Sequence, residues 1–322
     1  MIFPTTSVGS FPKPDYVTKA RFQFSKDQIS KSELEELEKK ATREWIEFQE
    51  QIGIDILVDG EMYRGDMVTY FAENFKGFEI SGLVRSYGNR YYRKPVAVGE
   101  IERANPVTVE WFKFAQSLTK KPVKGMLTGP YTIMDWSFDE FYPSRRDFCL
   151  RLAEVVHEEA VDLERAGAEY IQIDEPAVSV RPEELDLAIE AMGIATQGLK
   201  AHTLTHICYG DFAKIYPKML EIPVDQIDLE LSNSRFNMLG LFKKSVFTKE
   251  IGLGVVDVHS HRIETKEQVK ARIKKALEVI PKEKIYVDPD CGLKTRSVEE
   301  AKDKLRVVVE AVKELRQEMG VS

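Results

Sequence analysis

Tyr170-Ile171-Gln172-Ile173-Asp174-Glu175-Pro176 is the stretch whose reading decides the fold. A short apolar run ends in two carboxylates and is cut off by proline, as in a buried strand that delivers acidic side chains at its C-terminal end. The design recurs downstream in Thr205-His206-Ile207-Cys208-Tyr209-Gly210, in Ile227-Asp228-Leu229-Glu230, across 253–259, and in Ile285-Tyr286-Val287-Asp288. Upstream, strands are expected over 5–10, 54–61 and 123–130. Helical spacing fills the gaps. Ser32 with Glu35 reads as a capping box for a helix running up to Gly53, and further helices are expected over 106–118 and 144–166, after Pro182, near Thr265, and from Ser297 to about Met319. Residues 66–101 break the rhythm and read as an inserted hairpin.

With the hairpin set aside, about eight strand–helix units follow one another in β-then-α order without a linker. That count predicts an α/β fold, a closed (β/α)8 TIM barrel forming one domain over 1–322. Two doubly wound domains are the alternative. In a barrel of this kind, reactive side chains gather at the C-terminal ends of the strands. Ser10, Glu61, Asp174, His206, Cys208, Glu230, His259 and Cys291 all fall at such ends.

Composition narrows the function classes. The net charge of −7 at pH 7 gives no general argument for nucleic-acid binding. Three cysteines form no secreted-domain framework, so a reducing cytoplasm is expected. Met1-Ile2-Phe3-Pro4 shows no export signal, and no segment approaches eighteen apolar residues in a row. Neither export nor a membrane span is expected.

Strand alternation puts His206 and Cys208 on one face, where an imidazole and a thiolate together suit a soft metal ion. Cys291 would add a second thiolate. Glu230 is the natural fourth ligand, because its strand follows that of His206 and adjacent strands lie about 5 Å apart. Such an electron-rich set argues against hydrolytic zinc and for a metal that takes up a substrate thiol.

Several motifs carry a resemblance. Val8-Gly9-Ser10-Phe11-Pro12, Gly60-Glu61, Gly125-Met126-Leu127-Thr128-Gly129-Pro130, Ile171-Gln172-Ile173-Asp174-Glu175-Pro176, His206-Ile207-Cys208, Val256-Asp257-Val258-His259-Ser260 and Pro289-Asp290-Cys291-Gly292-Leu293-Lys294-Thr295-Arg296 resemble, in order and spacing, the catalytic half of cobalamin-independent methionine synthase. The resemblance covers nearly the whole chain and implies a zinc-dependent methyltransferase that converts L-homocysteine to L-methionine. It implies Zn²⁺ on His206, Cys208, Glu230 and Cys291. Val8, Gly9 and Ser10 would bind homocysteine, with Glu61 and Asp174 on its ammonium group, and His259 would be the proton donor. His261 has no match and reads as a surface histidine.

No counterpart of the second, N-terminal barrel of the long enzymes is expected. Arg90, Tyr91 and Trp136 fall at methyl-donor positions, but the carboxylate that grips a pterin corresponds to Val180. Loss of a buried acid would cost much pterin specificity. The expected donor is therefore a methylcorrinoid presented by a partner protein, with methyltetrahydrofolate or another methylpterin as the alternative. Two rival readings are a zinc methyltransferase acting on another thiol, such as coenzyme M, and a structural zinc barrel serving as a non-catalytic subunit.

Overall fold

The computed structural model describes residues 1–85 and 91–320. Contacts divide the chain into two compact units, one of Met1–Tyr63, Trp111–Lys124 and Gln226–Ser322, the other of Arg64–Glu110 and Gly125–Asp225.

In the first unit Gln226–Leu229, Glu250–Gly254 and Ile285–Asp288 are parallel strands, with Leu229 opposite Leu253 and Leu253 opposite Val287. The two N-terminal strands expected over 5–10 and 54–61 are reduced to single bridges, Thr5 to Val287 and Leu57 to Val123. Side chains replace the missing ladder. Asp55 Oδ2 accepts from both the backbone N–H (2.8 Å) and the hydroxyl (2.9 Å) of Thr5, and the Thr6 hydroxyl donates to Ile56 O at 2.8 Å. Backbone bonds still link these positions in sequence, from Lys124 N–H to Leu57 O (2.9 Å), from Ile56 N–H to Thr5 O (3.0 Å), and from Thr6 N–H to Val287 O (3.0 Å). The first strand position thus bonds to both the second and the last.

In the second unit Tyr170–Asp174 runs parallel to His202–Ile207, with Gln172 opposite Leu204. The inserted hairpin pairs Lys76–Arg85 with Tyr91–Glu102 in antiparallel fashion, and the two-residue strand Phe138–Asp139 joins its far edge. Lys124–Thr128 is a further strand. Parallel strands alternating with helices along the chain are those of a (β/α)8 barrel carrying an inserted hairpin.

Cap chemistry sets the helices. Ser30 and Glu33, not Ser32 and Glu35, form the capping box of Lys31–Ile52, and Gly53 closes it at φ 92°. Both pairs have the same spacing, but it is Ser30 that sits in extended backbone at the helix entry. Ser144 caps Arg145–Arg165, while Thr265 with Gln268 and Ser297 with Glu300 make capping boxes for Lys266–Ala276 and Val298–Glu318. The helix read over 106–118 starts only at Val109. Its approach is fixed by Glu159, fully buried, which accepts the amide protons of Val107 and Thr108. Pro182–Glu184 is a 3₁₀ turn leading into Leu185–Ala195. The strand read over 253–259 is Glu250–Gly254, so Val258 and His259 lie in the turn that follows it.

The Asp-Glu-Pro run does more than end a strand. Glu175 turns inward, is fully buried, and accepts from Tyr131 N–H (3.0 Å), Thr132 N–H (2.8 Å) and the Thr132 hydroxyl (2.6 Å). Its carboxylate occupies the place a Cβ would take at residue 129, which explains the glycine there. Burial pushes its pKa up to about 7 from 4.5, against the lowering pull of these donors. The folded protein therefore keeps a proton that the unfolded chain has already lost, and stability falls as pH rises from 4.5 to 7. Glu175→Gln should flatten this part of the urea-midpoint profile, removing a pH-dependent loss of at most about 3 kcal/mol. A variant profile parallel to that of the natural protein across the window would refute it.

Candidate functional site

In the unit that contains Gln226–Leu229, Glu230 lies just past the strand end and is buried. Its Oε1 faces His259 Nε2 at 2.8 Å and accepts from the Asn233 side-chain amide at 3.1 Å. The hydrogen bond to this carboxylate, more than any other influence, raises the His259 pKa above the ordinary imidazole value; burial opposes it. The turn that carries His259 is itself anchored. His259 N–H donates to Asp257 Oδ1 at 2.8 Å, and Asp257 N–H donates to Glu264 Oε1 at 2.9 Å. Lys304, fully buried, donates to Glu264 Oε2 at 3.1 Å and to Arg262 O at 2.6 Å. Cys291 is partly buried in the loop after Ile285–Asp288.

The same unit holds the N-terminal motif. Ser10 O accepts Leu293 N–H at 2.7 Å, and the Ser10 hydroxyl lies where a Cβ of residue 292 would sit, so the loop bearing Cys291 packs directly on the Ser10 segment. Val8 is buried. Glu61 has φ 58°, a left-handed conformation that costs a non-glycine residue about 1–3 kcal/mol. Asp59 Oδ1 accepts its N–H at 2.9 Å, and the Lys13 ammonium donates to its carbonyl at 3.2 Å, so this strained backbone is held from both sides. His261 is exposed and pairs with Glu300 at 2.7 Å.

In the other unit Asp174 closes its strand and accepts from Gln172 Nε2 at 2.7 Å. His206 lies within the neighbouring strand and Cys208 just beyond its end, and both are buried. Glu175 N–H donates to His206 O at 3.1 Å, and the Ser179 hydroxyl donates to Cys208 O at 2.8 Å, so two residues of the Asp-Glu-Pro segment fix the backbone of both. Trp136 caps the short helix Pro130–Asp135. Arg90 lies outside the described residues, as does the side chain of Tyr91.

His206 and Cys208 in one unit and Cys291 in the other carry donors of the kinds a soft metal ion accepts. Glu230 engages His259 and Asn233 through a single oxygen, Oε1. Reading from the sequence missed Glu175 in one unit and Asn233, Asp290 and Lys304 in the other. Each acts on backbone amides, carbonyls or another acid, which the residue type alone does not announce. The one available signal was motif membership, for Glu175 and Asp290. No helix among the described residues is long and apolar enough to cross a membrane.

Comparison with known proteins gives this arrangement a family. The description "Cobalamin-independent synthase, Catalytic domain" matches residues 3–314. A Flavobacterium johnsoniae protein named 5-methyltetrahydropteroyltriglutamate–homocysteine methyltransferase is 43% identical over 98% of this chain and 42% of its own length. The chain thus spans less than half of that relative, and likewise 43% and 44% of its counterparts from Cytophaga hutchinsonii and Campylobacter jejuni. A Saccharolobus solfataricus protein named methionine synthase is 41% identical over 99% of this chain and 96% of its own. A solved B12-independent methionine synthase from a Shewanella species, in complex with selenomethionine, superposes with a TM-score of 0.89 at 30% identity over 99% of both chains.

These names overturn the expected methylcorrinoid donor and its partner protein, since the family is cobalamin-independent and the long relatives are named for a methyltetrahydropteroyl compound. The structure supplies the physical reason. Val180, whose missing carboxylate led to the corrinoid reading, is 41% exposed, so an acid lost there is not the buried, unpayable loss that would abolish pterin discrimination. On the match over residues 3–314 and the relatives alike, the chain belongs to the cobalamin-independent synthase family and carries its catalytic domain.

Proposed function

We propose that this chain transfers a methyl group from a methyltetrahydropteroyl donor to the thiol of L-homocysteine, giving L-methionine. The observation that carries the proposal is the methionine synthase of Saccharolobus solfataricus, matched over 96% of its own length, so that a chain of this extent bears the name by itself. Selenomethionine, held by the Shewanella relative, is an analogue of the proposed product.

The proposed metal ligands are His206, Cys208, Glu230 and Cys291. Their chemistry fits Zn²⁺, for one imidazole, two thiols and a carboxylate are donors that ion accepts. Burial fits as well, since His206, Cys208 and Glu230 are 3%, 4% and 4% exposed. Zinc, when bound, would keep the substrate thiol deprotonated near neutral pH. Val8, Gly9 and Ser10 would seat homocysteine through main-chain and hydroxyl contacts. Glu61 and Asp174 would each give its ammonium group a charge-assisted hydrogen bond. That pair favours an amino-acid thiol over a mercaptosulfonate.

The sulfur would attack the methyl carbon in line as the carbon–nitrogen bond to the pterin breaks, and the departing nitrogen would take a proton. His259 is the proposed donor of that proton, since an imidazole can carry one near neutral pH. Trp136 would stack on the pterin, with Arg90 and Tyr91 as further donor contacts.

Zinc-loaded protein given homocysteine and methyltetrahydropteroyltriglutamate should form methionine, and failure to do so under zinc saturation would refute the activity. Cys291→Ser should lose most of its zinc while keeping the circular dichroism of the fold. Full zinc occupancy with full turnover in that variant would remove Cys291 from the ligand set. His259→Ala should lower kcat by about 10²–10⁴-fold with homocysteine affinity retained. Weakened binding with kcat unchanged would make it a substrate contact.

A further inference from the structure

The Glu230 carboxylate sits in a frame built by residues to which no role has been assigned. We infer that Asp290 and Asn233 are positioning residues that aim Glu230 and Cys291 for metal ligation, an inference that rests on the zinc reading above. Asp290 is fully buried, and its two oxygens are divided between successive backbone amides of the turn that follows Glu230. Oδ1 accepts Ser232 N–H at 2.8 Å, and Oδ2 accepts Asn233 N–H at 2.7 Å. Its own N–H donates to Val256 O at 3.0 Å. Because Asp290 immediately precedes Cys291, one side chain ties the Cys291 backbone to the Glu230 turn.

Two further features show that the frame is built in. A Cβ at residue 254 would collide with Asp290, so the Glu250–Gly254 strand ends in the one residue that leaves room for this acid. The turn is also strained, with Arg235 at φ 53° and Phe236 at φ 61°, both left-handed without being glycine. Such backbone persists only where surrounding bonds over-determine it. Asp290 supplies two of those bonds, and Phe236 N–H to Leu231 O at 2.8 Å supplies another.

Asn233 completes the link to the ligand. Its amide N–H is held by Asp290, and its side-chain amide donates to Glu230 Oε1, the oxygen that also faces His259. Asn233 therefore fixes the direction of the carboxylate through Oε1, and zinc ligation would use its other oxygen, Oε2. Groups that orient a ligand in this way commonly contribute 10–100-fold to metal affinity.

The test is zinc affinity of the full chain, measured by competition with a chromogenic chelator, alongside the thermal midpoint of the metal-free protein. Asn233→Ala should weaken zinc binding by about tenfold while the metal-free midpoint stays within a few degrees. Asp290→Asn should weaken it by about 10–100-fold, since an amide offers one acceptor oxygen where two N–H groups need one each. If Asp290→Asn does not fold, Asn233→Ala decides alone. Natural zinc affinity in Asn233→Ala would overturn the proposal, as would an affinity loss matched by an equal collapse of the metal-free fold. Natural protein that binds no stoichiometric zinc would sink the underlying zinc reading, a distinct and separately visible failure.

Discussion

A buried carboxylate must be paired, and the pairing of Glu230 organises the turns around it. An acid that is 4% exposed would be costly in a dry environment without donors, and His259 and Asn233 provide them. His259 can do so only because its turn is pinned through Asp257 to Glu264, and Glu264 in turn to the fully buried Lys304 of the helix Val298–Glu318. Asn233 can do so only because Asp290 holds its backbone. A chain of short polar contacts thus runs from the helix Val298–Glu318 to the carboxylate, and a second runs to it from the loop that bears Cys291.

The other unit shows the same economy of means. Glu175 is spent inward on the amides of Tyr131 and Thr132, which leaves its neighbour Asp174 as the acid that closes the strand. Glu175 and Ser179 also secure the backbones of His206 and Cys208. Adjacent acids in one motif thus take different partners, Glu175 the amides of Tyr131 and Thr132 and Asp174 the side chain of Gln172. The strained Glu61, held by Asp59 and Lys13, is the corresponding case at the N-terminal motif.

Much of this was legible from residue patterns, and the failures have physical causes. Strands read from apolar runs were right where the backbone makes the ladder, as at Tyr170–Asp174 and Ile285–Asp288. They were too long at 54–61, where Asp55 and Thr5 side chains take over bonding that a pattern of hydrophobicity assigns to backbone. The Ser32 box was a register error between two equivalent Ser-x-x-Glu pairs. Val255, Val256 and Val258 continue the apolar run past Gly254, which extends the expected strand to His259 beyond the backbone ladder. Strand-end polar residues could be named in advance because their position carries the signal. Asn233 and Asp290 could not, because their partners are backbone amides of a turn whose shape no spacing rule predicts. The expected donor fails for a related reason: the missing acid at Val180 would matter only in a buried position, and burial is a property of the fold.

The proposal that His206, Cys208, Glu230 and Cys291 hold zinc is tested most directly by zinc-edge X-ray absorption on the metal-loaded chain. The account predicts two sulfur neighbours, from Cys208 and Cys291, at about 2.3 Å, with nitrogen and oxygen at about 2.0–2.2 Å. A spectrum with only nitrogen and oxygen neighbours would contradict it.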